Sequence, residues 1–161
     1  TTLFLGGYKE DDAILRISEH ITAITEGLKA ENIILFLDEP ALGQVGFDYK
    51  KIWDALFASF NVTSGVHTCG NMDWDDMLDS NIDIISFDAS QFDITKYSKY
   101  RSGKRIAWGV DKRENVKDFK EGDLVTLPCG MGSPLFKPED CEKNLEKLLK
   151  IAEEISKGVQ K

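Results

Sequence analysis

Ile33-Ile34-Leu35-Phe36-Leu37-Asp38-Glu39-Pro40 is an unbroken apolar run that ends on two carboxylates ahead of a proline. Apolarity without polar alternation is the pattern of a parallel strand buried on both faces. The same arrangement, an apolar run delivering polar residues into a turn, recurs along the chain. Residues 62–66 run into His67-Thr68-Cys69-Gly70, residues 82–87 end in Asp88, residues 105–110 lead to Asp111, and residues 123–127 run into Pro128-Cys129-Gly130. Upstream, Leu3-Phe4-Leu5 is a short apolar run closed by Gly6-Gly7, read as a first strand.

Helical patterns separate these runs. Glu10, Asp11 and Asp12 sit where a helix dipole favours negative charge, and Ile14, Ile17, Ile21, Ile24 and Leu28 follow at the spacing of one buried helical face. Residues 49–60 repeat the pattern with Ile52, Trp53, Leu56 and Phe57; residues 74–78 form a short helix and residues 94–100 a weak one. Pro138, Glu139 and Asp140 open a last helix, with Pro tolerated in its first turn. Its apolar face is Cys141, Leu145, Leu148, Ile151, Ala152 and Ile155. About six strands with helical crossovers give an α/β fold. Two architectures fit: an open doubly wound sheet, and a (β/α)₈ barrel short of two units, since a full barrel takes about 250 residues.

Bulk properties narrow the function. The chain of 161 residues is read as one domain, 1–161, with no linker or low-complexity segment. A net charge of −8 argues against nucleic acid or an anionic membrane as partner. No apolar stretch approaches the roughly 20 residues of a membrane span, and no secretory signal is seen. Three widely spaced cysteines make a disulfide framework unsuitable and fit a reducing cytoplasm. The chain opens on Thr1, not Met, which is read as a processed or cleaved chain. No glycine-rich phosphate loop of the nucleotide-binding types occurs.

The polar residues at the strand ends carry the chemistry. His67 and Cys69 are two apart, so both side chains point the same way from a strand. Cys129 stands before Gly130-Met131-Gly132, where the backbone can approach a ligand closely. If the strands lie side by side, His67, Cys69 and Cys129 meet at one point with a fourth position open, the ligand set of a catalytic zinc site. Asp88 has two open readings: a metal ligand or orienter of an imidazole, and a helix N-cap. Asp38 and Glu39 are candidates for gripping a substrate ammonium group or for shaping a turn, and Asp111 has the same two readings. Cys141 reads as core, His20 as solvated, and Asp73, Asp75, Asp76 and Asp79 as a solvated helix face.

In this order the motifs resemble the catalytic barrel of cobalamin-independent methionine synthase and the related uroporphyrinogen-decarboxylase-like methyltransferases that serve corrinoid proteins. Leu37-Asp38-Glu39-Pro40-Ala41-Leu42 is similar to the family's D-E-P-A-L segment, and His67-Thr68-Cys69 to its H-x-C zinc motif. Ile84-Ile85-Ser86-Phe87-Asp88 is similar to the strand ending in its glutamate ligand, Trp108-Gly109-Val110-Asp111 to its G-x-G-V-x-D strand, and Leu127-Pro128-Cys129-Gly130 to its N-P-D-C-G motif. The resemblance implies a (β/α)₈ TIM barrel of which this chain supplies strands three to eight. The first two units would be absent or lie in another segment or partner chain. It implies zinc held by His67, Cys69, Cys129 and Asp88, with Asp38 as catalytic and substrate-binding residue and Glu39 and Asp111 beside it. The implied reaction moves a methyl group from a methylated corrinoid, free or on a protein, or from a folate-type donor, to a thiol such as homocysteine. Coenzyme M as acceptor and a non-catalytic zinc-binding subunit are the alternatives; a decarboxylase of the uroporphyrinogen type has no use for the cysteines. Two departures stand out: Asp88 replaces the family's glutamate, and Lys112-Arg113-Glu114 stands where a histidine follows the G-V-x-D strand, which argues against a folate-type protonation role.

Overall fold

Runs rich in β-branched and large apolar residues form parallel strands here at 34–38, 84–88 and 105–109, and the more polar run 63–68 joins them. The computed structural model describes residues 2–44, 46–128 and 137–159. Its strands are β1 (Ile34–Asp38), β2 (Thr63–Thr68), β3 (Ile84–Asp88), β4 (Arg105–Gly109) and β5 (Leu124–Thr126). They pair in parallel in the order β1-β2-β3-β4-β5, forming one open, curled sheet. The helices are α1 (Thr2–Leu5), α2 (Glu10–Thr25), α3 (Tyr49–Phe57), α4 (Trp74–Leu78) and α5 (Pro138–Val159). Residues Ile94–Lys96 form only a 3-10 turn where a weak helix was expected.

The expectation of a (β/α)₈ barrel supplying strands three to eight is overturned. Among the described residues the sheet has five strands, not six, and β1 and β5 are its two edges. The doubly wound alternative fails as well, because it needs a strand order that reverses and this order never does. The missing strand is Leu3-Phe4-Leu5, which is the helix α1. Its two glycines explain why. Gly7 takes φ +83 and the Tyr8 N–H donates to the Leu3 carbonyl at 3.1 Å. That is the six-to-one bond of a Schellman helix end with glycine at its left-handed position. Gly6-Gly7 therefore ends a helix rather than a strand.

Strand parity assigns the two faces of the sheet. Leu37, Val66, Ile85, Phe87, Ile106, Trp108 and Val125 share the face that packs with Trp53 of α3, Trp74, Met77 and Leu78 of α4, and Ile151 and Ile155 of α5. The alternate residues form a second face. Asp38, His67 and Ser86 stand in one row across it, with Phe36, Gly65 and Ile84 in the row below. A Cβ on Gly65 would lie 2.6 Å from the Phe36 ring, so this glycine exists to let that ring lie flat on β2. The face of α2 expected to be buried is only partly covered: Ile21 is buried, whereas Ile24 is 50% exposed.

Aspartates lock the ends of the strands opposite the site. Asp83 accepts from the Ser64 N–H at 2.8 Å, fixing β2 against β3. Asp123 does the same for β4 and β5, through the Ile106 N–H at 2.9 Å and the Trp108 Nε1–H at 3.0 Å. The acidic group on α4 is not merely a solvated face. Asp73 caps α4 through the Asp76 N–H, Asp76 accepts from the Tyr49 hydroxyl and pairs with Lys50 on α3, and Asp75 accepts from Ser98 and Lys99.

Candidate metal centre

β1 ends on Asp38 and β2 carries His67 opposite it. The ladder continues one residue further, since the Glu39 N–H donates to the His67 carbonyl at 2.9 Å. That bond fixes the two strand tips side by side. Cys69 follows His67 by two and stays on the same side, as the period of a strand requires. The result is a group in which one carboxylate oxygen of Asp38, one ring nitrogen of His67 and Sγ of Cys69 all lie within 4.8 Å of one another. His67 Nε2 is 3.2 Å from Cys69 Sγ. Asp38 is exposed, and His67 and Cys69 are half-buried, so the group opens to solvent on the Asp38 side.

His67 is oriented from behind. Its Nδ1 is 3.0 Å from Oγ of Ser86, the residue opposite it on β3. Burial pushes the imidazole below its ordinary pKa, while the negative charges of Asp38 and Asp88 pull the other way. The net direction is downward, so His67 is neutral at pH 7, the state that donates a lone pair.

Asp88 lies two residues beyond Ser86 on the same face, only 5% exposed. Its carboxylate accepts from the Ser90 N–H at 2.8 Å, from the Ser90 hydroxyl and from the Gln91 amide. The residue organises the turn after β3, where no helix follows for it to cap, and its negative charge favours the protonated form of His67. It is not in the group that closes within 4.8 Å. Asp111, half-buried at the end of β4, accepts from Asn115 Nδ2 at 2.9 Å and shapes the turn that follows. Glu39 is half-buried beside Asp38. Cys129, with Gly130-Met131-Gly132, lies outside the described residues. The segment leading to it is held close to β4: a Cβ on Gly109 would collide with the Phe87 carbonyl and sit 3.0 Å from Pro128 Cα.

The donor set suits zinc. A tetrahedral zinc ion with bonds of about 2.0–2.3 Å keeps its ligand atoms about 3.3–3.8 Å apart. The observed group needs a shift of about an ångström or less per atom to reach that spacing. Imidazole nitrogen, thiolate and carboxylate are all zinc donors, and an imidazole with its second nitrogen bonded to a neighbour is the usual arrangement at a metal. Two members of the group have places in it that the sequence reading did not give them. Asp38 was assigned to substrate rather than to the ligands, and Ser86 was passed over inside the strand motif. A hydroxyl in an otherwise apolar buried strand was the available signal for the second.

Comparison with protein-family models, with curated proteins and with solved structures finds no match. Among the described residues no helix is long and apolar enough to cross a membrane.

Proposed function

We propose that this chain is a zinc-dependent methyltransferase that moves a methyl group from a corrinoid to a thiol, homocysteine first. The new sulfur–carbon bond replaces the cobalt–carbon bond, whose electron pair stays on cobalt, and the thiol proton goes to solvent. The observation that carries the reading is the convergence of Asp38, His67 and Cys69 at two adjacent strand tips, with ligand atoms within 4.8 Å of one another. The order of the strand-end motifs supports the reaction class.

Zinc in this set would supply a thiol held as thiolate at neutral pH, where a free thiol with a pKa near about 8.5 is mostly protonated. The chain's residues supply the rest. His67 offers a neutral imidazole whose back nitrogen is already occupied by Ser86. Cys69 offers soft sulfur. Asp38 offers an oxygen at the exposed lip, where an acceptor can enter. Asp88, held by Ser90 and Gln91, places a further negative charge near His67 that favours a cation.

Elemental analysis of the reduced protein and of Cys69→Ser and Asp38→Ala tests this. We expect about one zinc per chain, lost in both variants. Folded, reduced protein that takes up no added zinc overturns the reading. The Asp38 variant also separates the residue's two roles. As a ligand its loss removes zinc. As an ammonium-binding group its loss leaves zinc in place, spares coenzyme M and impairs homocysteine methylation by methylcobalamin.

A further inference from the structure

Ser86 occupies the middle of β3, within Ile84-Ile85-Ser86-Phe87-Asp88, and is 3% exposed. A hydroxyl buried among such neighbours is costly unless it is hydrogen-bonded. The partner the structure gives its Oγ, among the described residues, is His67 Nδ1 at 3.0 Å. The register places the two residues directly opposite each other, so the contact is set by strand pairing and not by a flexible loop. On the other side of the ring, Nε2 lies 3.2 Å from Cys69 Sγ, and His67 and Cys69 form one group with Asp38.

A neutral imidazole has one N–H and one lone pair, and a hydroxyl can serve either. The choice has consequences here. With the proton on Nδ1, that nitrogen donates to Ser86 Oγ and the Nε2 lone pair faces the cluster. With the proton on Nε2, an N–H points among the donors and shuts the site to a cation. Only the first form makes the strand-tip group a ligand set.

We propose that Ser86 is a positioning residue that holds the proton of neutral His67 on Nδ1 and so presents Nε2 as a lone-pair donor toward Cys69 and Asp38. Its purpose rests on the zinc reading above, but the tautomer itself is measurable without metal. Nor does the contact act alone. Gly65, two residues before His67 on the same face, lets the Phe36 ring lie across β2 in the row next to the one that holds His67.

The experiment is ¹⁵N NMR of histidine-labelled, metal-free full chain at a pH about one unit above the ordinary histidine value of about 6.5. His20 and His67 are the only histidines, and His67→Gln assigns the signals. The wild type is expected to show protonated Nδ1 and bare Nε2 at His67. Ser86→Ala is expected to lose that preference, and Ser86→Thr, which keeps the hydroxyl, to retain it. Zinc affinity by chelator competition is expected to fall about 10–100-fold in Ser86→Ala and to be restored in Ser86→Thr. A wild-type His67 protonated on Nε2, or a tautomer unchanged in folded Ser86→Ala, overturns the proposal. If Ser86→Ala fails to fold, the wild-type tautomer and the Thr variant still decide it. If the wild type shows the expected tautomer but takes up no zinc, the zinc reading fails while the hold of Ser86 on His67 stands.

Discussion

Replacing Asp123 with Asn should remove more stability than any surface change of one charge. The Asp123 side chain is 1% exposed and its carboxylate accepts five hydrogen bonds. Oδ1 takes Arg101 Nη1 at 2.6 Å and the Ile106 N–H at 2.9 Å; Oδ2 takes Arg101 Nη2 at 2.6 Å, Trp108 Nε1 at 3.0 Å and the Lys120 N–H at 3.0 Å. An asparagine amide group must replace one of these oxygens, so at least two donors meet a donor and the guanidinium loses its counter-charge. Each orphaned buried donor costs about 1–3 kcal/mol, and breaking a buried ion pair by removing one partner costs about 3–5 kcal/mol. The two figures agree on a loss of about 4 kcal/mol, out of a total that is typically about 5–15 kcal/mol. Urea denaturation followed by tryptophan fluorescence reads this as a midpoint lowered by about 2 M, for a slope of about 2 kcal/mol per M. The pH dependence provides an internal check. Burial alone pushes the Asp123 carboxyl up, but Arg101 and the N–H donors of Ile106, Lys120 and Trp108 outweigh it and hold it below the ordinary carboxylate range. A folded-state value below the unfolded one means the contribution is complete above the unfolded value of about 3.9 and fades as pH falls through the folded value. The gap between wild type and Asp123→Asn should therefore be constant from neutral pH to about pH 5 and shrink below about pH 4. A midpoint shift under about 0.3 M at neutral pH would refute the reasoning, because the orphaned donors would then have found water or each other.

Other expectations follow from single contacts. Gly65→Ala drives a Cβ to 2.6 Å from the Phe36 ring and should cost about 1–3 kcal/mol by thermal melting; Phe36→Leu in the same chain should recover most of it, and a lone Gly65→Ala as stable as wild type sinks the packing argument. Asp38→Asn removes a negative charge that raises the His67 pKa, so His67 titration followed by NMR should move to lower pH, and a move upward would place Asp38 elsewhere. Because burial leaves the folded His67 below its unfolded value, the unfolded chain takes its proton first as pH drops. The metal-free protein should then lose stability as pH falls through about 6.5 until the folded His67 titrates too, and a His67→Gln variant should show a weaker loss in that window.

Much of this arrangement was legible in the residues, for specific reasons. The runs before Asp38 and Asp88 read as parallel strands because apolarity without alternation has few other outlets. The His67-Thr68-Cys69 pair was legible because two-residue spacing at a strand tip gives a common direction. Leu3-Phe4-Leu5 was misread because three apolar residues fit either periodicity; the decision lay in the left-handed Gly7, a backbone property that composition does not reveal. The barrel went wrong with it, since closure depends on curvature and strand number rather than on any one strand. Asp123 was unreadable as an anchor because it is one of 28 acidic residues, and its donors come from Arg101, Ile106, Trp108 and Lys120, which only strand pairing brings together.

Parity explains why the Asp38-His67-Cys69 group and a core can share so small a sheet. The residues that pack against α3, α4 and α5 alternate with those that form the second face, so Val66 and Phe87 are core while His67 and Ser86 are site. A slip of one residue between β1 and β2 would set Asp38 against Thr68 or Val66 and turn the Asp38 side chain toward the tryptophan-lined core. The cost of burying that carboxylate without a partner is several kcal/mol, and so the site helps to specify the register that builds it. Asp83 on Ser64 and Asp123 on Ile106 fix the opposite ends of the strands. The strand tips that carry Asp38, His67 and Asp88 are thus set from both directions, by packing below and by carboxylates at the far edge. The group at these strand ends opens to solvent at Asp38, so a small ligand can reach it directly.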